Sequence, residues 1–137
     1  MTVRGPERRE DVGNVVTETP ASAVAVVAWA GDLGGARAGA LRELLAGAAR
    51  SGRHVVLDLA DAGVLDPDGL AVLVRARQQV RHENDGRLCL SAPSRLILTV
   101  LHTMRLEPAF PTFADRSSAV RWLGAGDGTP APLWTAG

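Results

Sequence analysis

The chain reads as an α/β protein, a single domain on a small, mixed and mostly parallel β-sheet with about four α-helices. Three observations lead there. Its 137 residues hold one packed core and are too few for two ordinary domains. Short apolar runs alternate with stretches whose apolar residues recur every three or four positions, the pattern of strands joined by helical crossovers. Helix-start residues follow several of the strand-like runs.

Taken in order, Val15-Val16-Thr17 forms a hairpin arm against the next run. That run, Val24 to Ala30, is continuously apolar, as expected of a central strand covered on both faces, and it ends at Gly31. From Arg37 to Arg50, Leu41, Leu44, Leu45 and Ala48 fall at helical spacing and charged residues take the other faces. Ser51-Gly52 stops this helix, and Val55-Val56-Leu57-Asp58-Leu59 is the next buried strand. In Val64-Leu65-Asp66-Pro67-Asp68-Gly69-Leu70, Asp66 can accept from a free first-turn amide. Pro67 suits the first helical position, where no N–H is needed. The helix so begun runs to about His82, with Leu70, Leu73, Val74 and Val80 inward, and Asn84-Asp85-Gly86 breaks it. Leu88-Cys89-Leu90 is a strand, Ser94 caps a helix carrying Ile97, Leu98 and Leu101, Phe110 to Phe113 is a short strand, and Asp115 caps a last helix to Leu123. Residues 1–13 form a flexible N-terminal segment, 14–124 the folded domain, and 125–137 a flexible Gly/Pro-rich tail. Trp134 in that tail is assigned no role.

Composition narrows the function. Basic and acidic residues cancel at 15 each, which leaves no electrostatic footprint for a nucleic-acid backbone. Every basic residue is Arg, which reads as the codon bias of a GC-rich, bacterial genome. The single Cys89 excludes an intrachain disulfide and a paired-cysteine metal site, and its apolar neighbours make it core filler. No apolar run approaches the roughly 20 residues of a membrane span, and the N-terminus lacks a secretory apolar stretch. A cytoplasmic protein with no membrane partner is expected.

Signals of catalysis are missing. His54, His82 and His102 have no partner ligand at helical metal-site spacing, and none of the serines sits in a Gly-x-Ser-x-Gly elbow. Gly31-Asp32-Leu33-Gly34-Gly35 lies where a phosphate loop could, but it matches no phosphate-binding pattern and reads as a flexible turn. Asp58, Asp61, Asp66 and Asp68 do not follow an EF-hand order. No cofactor, no metal and no enzymatic activity are expected.

The order of a strand leading into Gly31-Asp32-Leu33, an amphipathic helix, Val55-Val56-Leu57-Asp58-Leu59, and a helix opened by Leu65-Asp66-Pro67-Asp68-Gly69-Leu70 resembles the STAS family, from roughly Val15 to Leu123. Its namesakes are sulphate transporters and anti-sigma factor antagonists. The family's Asp-Ser-Ser-Gly-Leu motif corresponds here to Asp66, Pro67, Asp68, Gly69 and Leu70. In bacterial antagonists of the family the second serine is phosphorylated by a partner that is both kinase and anti-sigma factor. Asp68 stands at that position, so the resemblance implies a site that cannot be phosphorylated in the family manner. Where the family often reads Gly-Glu-Leu-Asp, this chain has Gly31-Asp32-Leu33-Gly34.

The resemblance implies an anti-sigma factor antagonist-like regulatory domain that binds a protein. Its partner would be an anti-sigma factor and serine kinase of the histidine-kinase-like ATPase type, docking on Asp66, Pro67, Asp68, Gly69, Asp32 and Gly34. A monomer or weak homodimer is expected. Two alternatives stand beside it: a STAS scaffold or sensory-complex component with a non-kinase partner, and a module holding a small anion or nucleotide at the helix N-terminus. Asp68 admits two readings, a carboxylate favoured by the helix dipole and a permanent partial mimic of phosphate.

Overall fold

The structure, a computed structural model, describes residues 13–19 and 24–125. Of the expected loose ends, residues 1–12 and 126–137, with Trp134, lie outside the described residues, while Gly13 begins the first strand and Ala125 ends the last helix. Five strands form the main sheet: β1 (Gly13–Thr19), β2 (Val24–Trp29), β4 (His54–Asp58), β6 (Leu88–Ser91) and β7 (Thr112–Phe113), in the order β1-β2-β4-β6-β7. Only β1 runs antiparallel, as the hairpin partner of β2; the other neighbours pair in parallel. The helices are α1 (Ala38–Ser51), α2 (Pro67–Asn84), α3 (Arg95–Thr103) and α4 (Arg116–Ala125). The expected α/β class and mostly parallel sheet are present.

Side chains alternate across a strand, and the core divides accordingly. Ala25, Val27, Trp29, Val55, Leu57, Leu88 and Leu90 face a cluster that takes in α1, α2 and α3. Val24, Val26, Val56 and Cys89 face the other way, onto Phe113 and the α4 residues Ala119 and Leu123. The continuous apolar runs of β2, β4 and β6 are thus explained by helices on both faces. Each fully buried leucine contributes about 1.5–3 kcal/mol.

Several local expectations are corrected. β2 ends at Trp29, and Ala30 is exposed. Gly31–Leu33 is not a loose turn but a third strand, β3, paired in parallel with β5 (Ala62–Leu65) in a separate two-stranded ribbon. A 3-10 turn, Gly35–Arg37, then leads into α1, one residue later than expected. On α2, Leu70, Leu73, Val74 and Val80 face the core as expected, Leu70 and Val74 half-buried against it, and Val72 and Ala76 join the buried face. The helix runs through Asn84 because its end is well made. Asp85 takes the left-handed conformation at φ 53, and Asn84 Nδ2 donates to the carbonyls of Ala49 and Gly52 at 2.7 and 3.1 Å. Phe110 closes a 3-10 turn and is buried, which leaves only Thr112–Phe113 as strand.

The ribbon fixes the place of the site. β3 follows β2 and β5 follows β4, so the ribbon extends from the carboxyl ends of two adjacent parallel strands. α2 leaves directly from β5.

Candidate docking site

Asp66 holds extended backbone angles just before α2, and its Oδ1 accepts the Gly69 N–H at 2.9 Å. Its carbonyl accepts the Leu70 N–H at 2.9 Å, and its own N–H donates to the Leu33 carbonyl at 3.2 Å. The turn is therefore tied both forward into the helix and back to the end of β3. Pro67 and Asp68 occupy the first two helical positions and are exposed.

Two glycines let the segments interlock. At Gly34 the backbone has φ +132, and a Cβ there would collide with the Asp66 carboxylate. At Gly69 a Cβ would collide with the Leu33 carbonyl oxygen. Both positions are buried, so neither glycine is a contact surface; each lets two backbones approach. The carboxylate that the STAS pattern often places at position 34 has no room in this backbone.

Asp32 is exposed, yet its Oδ1 accepts the Val64 N–H at 2.9 Å and its carbonyl accepts from Trp29 Nε1 at 2.9 Å. It fastens the ribbon while remaining accessible. Arg37 lies 4.5 Å over the Trp29 ring and braces the loop from the protein side.

The predicted residues thus separate into two kinds. Pro67, Asp68 and Asp32 form the accessible face, whereas Asp66, Gly34 and Gly69 build the support beneath it. Among the described residues the Asp68 carboxylate makes no hydrogen bond or ion pair. Sequence reasoning missed Val64, which stands 50% exposed on the same ribbon as one of the few large apolar residues at the surface. The signal was the apolar pair Val64-Leu65 directly before the turn, of which only Leu65 is buried.

The remaining candidates are spread through the fold. Asp58 is engaged by Arg116, with Nη2 2.6 Å and Nε 3.1 Å from Oδ2, and its Oδ1 accepts the Ala60 N–H at 3.2 Å. Asp61 and Asp68 are exposed. Among the described residues no group of three or more His, Cys, Asp or Glu side chains is placed to hold a metal ion. Cys89 is buried in the sheet, and loss of solvation pushes its thiol up to about 12. His102 pairs with Glu107 at the surface, and His54 accepts the Arg87 N–H on Nδ1 at 3.0 Å. Among the described residues no helix is long and apolar enough to cross a membrane.

A sheet of this order, with a glycine-braced turn opening a helix at its carboxyl edge, defines a small α/β domain that presents an exposed helix start at that edge. The STAS domain family model matches residues 14–119, and the chain belongs to that family. No curated protein sequence matches it. The fold is similar to that of an anti-sigma factor antagonist from Mycobacterium paratuberculosis, at 22% identity, 84% of this chain, 97% of that one and a TM-score of 0.67. It is also similar to the anti-sigma factor antagonist SpoIIAA in its unphosphorylated form, at 16% identity, 85% and 99% coverage and a TM-score of 0.67. A STAS domain protein from Planctomyces limnophilus matches at 16% identity, 81% and 96% coverage and a TM-score of 0.70.

Proposed function

We propose that this chain is an anti-sigma factor antagonist-like regulatory domain that binds a protein partner at the turn Asp66-Pro67-Asp68-Gly69, through the exposed Pro67, Asp68 and Asp32, with Asp66, Gly34 and Gly69 holding that face from beneath. The observation that carries the reading is the placement of Asp68: exposed, unpaired among the described residues, and at the helix position that the STAS motif gives to its phosphorylated serine. The partner is an anti-sigma factor and serine kinase of the histidine-kinase-like ATPase type. The domain performs no catalysis and works in the cytoplasm as a monomer or weak homodimer.

Asp68 makes the site a fixed one. A serine there alternates between neutral and nearly doubly negative, whereas a carboxylate keeps one charge and fewer acceptor oxygens. The domain therefore carries one fixed negative charge at its partner-facing position, a partial and permanent counterpart of the phosphorylated state. An anion ligand at the same turn is disfavoured, because Asp66 already occupies the Gly69 amide and Asp68 repels a second negative group.

The test is incubation with ATP and a histidine-kinase-like anti-sigma factor of the source organism, followed by mass spectrometry of the peptide spanning the turn. No phosphate is expected on the wild-type turn, and Asp68→Ser is expected to gain it. Phosphate on the wild-type turn would contradict the fixed-charge reading.

A further inference from the structure

The opposite end of the molecule carries a second feature, unconnected with the docking turn. A groove of about 640 Å³ opens between the C-terminal half of α2, the N-terminal ends of β4 and β6, and the C-terminal end of α4. Arg53, Arg77, Arg81 and Arg87 all line it, and among the described residues that line it Asp85 is the only carboxylate. In a chain whose formal net charge is zero, the described lining residues carry an excess of three positive charges in one concavity. Arg81 lies fifteen residues beyond Asp66, roughly 22 Å along the helix axis at 1.5 Å per residue, so the groove and the turn are separate sites.

Among the described residues, only Arg53 of these arginines has a carboxylate partner, Asp85. Arg77 Nε donates to the Ala109 carbonyl at 2.7 Å. Arg53 donates to the Asp85 carbonyl from Nε at 3.2 Å and from Nη2 at 3.0 Å. Its approach to the Asp85 carboxylate is long, at 3.7 Å, and that side chain is fully exposed. Arg87 lies over the Trp122 ring at 5.1 Å and has no carboxylate partner among the described residues. Complementing the negative end of α2 accounts for Arg81 and His82 in its last turn. It does not account for Arg53 and Arg87, which arrive from other segments. The crowding has an electrostatic consequence: burial and then the neighbouring Arg81 lower the pKa of Arg77, and burial followed by Arg53 and Arg87 lowers that of His54 against the opposing charge of Asp85.

We propose that this groove binds a small anion bearing a diphosphate group. Its volume lies within the range of small-molecule sites, about 300–1,000 Å³. Two linked phosphates bring about three negative charges, which match the excess, and guanidinium forks pair with phosphate oxygens in two-point contacts. A single carboxylate or a monophosphate leaves part of the excess unmatched. The diphosphate can come from inorganic pyrophosphate or from a nucleoside diphosphate.

Isothermal titration at low ionic strength tests this with pyrophosphate, ADP, GDP and inorganic phosphate, on wild type, Arg81→Gln, the double variant Arg81→Gln/Arg87→Gln, and Asp68→Asn. Saturable binding of pyrophosphate, tighter than that of inorganic phosphate and weakened about tenfold or more in the double variant, is expected. Asp68→Asn should bind as wild type does. Equal affinity for pyrophosphate and the nucleotides would assign recognition to the diphosphate alone; tighter ADP or GDP would assign a nucleotide. Arg81 is exposed, so its single variant retains the fold and should already weaken binding. Binding of none of the anions in the millimolar range, or binding unchanged in both arginine variants, would overturn the proposal.

Discussion

Gly34→Ala probes the interlock beneath the docking turn most sharply. Alanine at φ +132 is strained by about 1–3 kcal/mol, because a Cβ meets the backbone there. The same Cβ collides with the Asp66 carboxylate, which must move and thereby lose its bond to the Gly69 N–H. Losing an N-cap costs about 1 kcal/mol. The variant should therefore be destabilised by about 2–4 kcal/mol. Asp66→Ala alone loses the cap and should cost about 1 kcal/mol. In the double variant Asp66 is no longer present to be displaced, so its total should fall short of the sum by about 0.5–1 kcal/mol. Urea unfolding followed by circular dichroism measures all three. Gly34→Ala within about 0.5 kcal/mol of wild type, or strict additivity in the double variant, would refute the claim that position 34 supports the cap.

Asp68→Asn should cost no more than about 0.3–1 kcal/mol at low salt, the worth of an exposed charge near a helix N-terminus, so urea unfolding should separate any change in partner binding from misfolding. His54 is held below its ordinary 6.5 by burial and by Arg53 and Arg87, so the unfolded chain binds more protons just below that value. Stability should fall as pH drops below 6.5, and His54→Gln should flatten that slope in melting curves; an equal slope in both proteins would contradict it. Cys89, with its thiol at about 12, should resist iodoacetamide in the native state and react only on unfolding, as mass spectrometry after a denaturant series would report.

Much of the architecture was legible because it rests on period. Val24 to Trp29 and Val55 to Leu59 are apolar on both faces, and the structure puts helices on both sides of them. Asp66, Ser94 and Asp115 were readable as helix starts because capping is local chemistry, and all three accept the expected amide, from Gly69, Ile97 and Ser118. The ribbon β3–β5 was not legible. Its strands are three and four residues long, and one is Gly31-Asp32-Leu33, which shows no alternation. The pairing depends on contacts between segments about thirty residues apart, such as Asp32 with Val64. The same limit hid the division of the site residues, because the sequence places Asp66 and Asp68 two positions apart without telling that one faces Gly34 and the other solvent. The basic groove was invisible for a related reason: its arginines come from three segments and are unremarkable in each.

The exposed turn is the surface proposed to dock a protein. The direct measurement is a binding titration of wild type, Asp68→Arg and Arg81→Gln against a purified histidine-kinase-like anti-sigma factor of the source organism, with hydrogen exchange mapped on the complex. Asp68→Arg should change affinity by about tenfold or more, Arg81→Gln should leave it unchanged, and protection should concentrate at residues 64–72 and 31–34. Equal affinity for wild type and Asp68→Arg, or protection confined to other elements, would contradict docking at this turn.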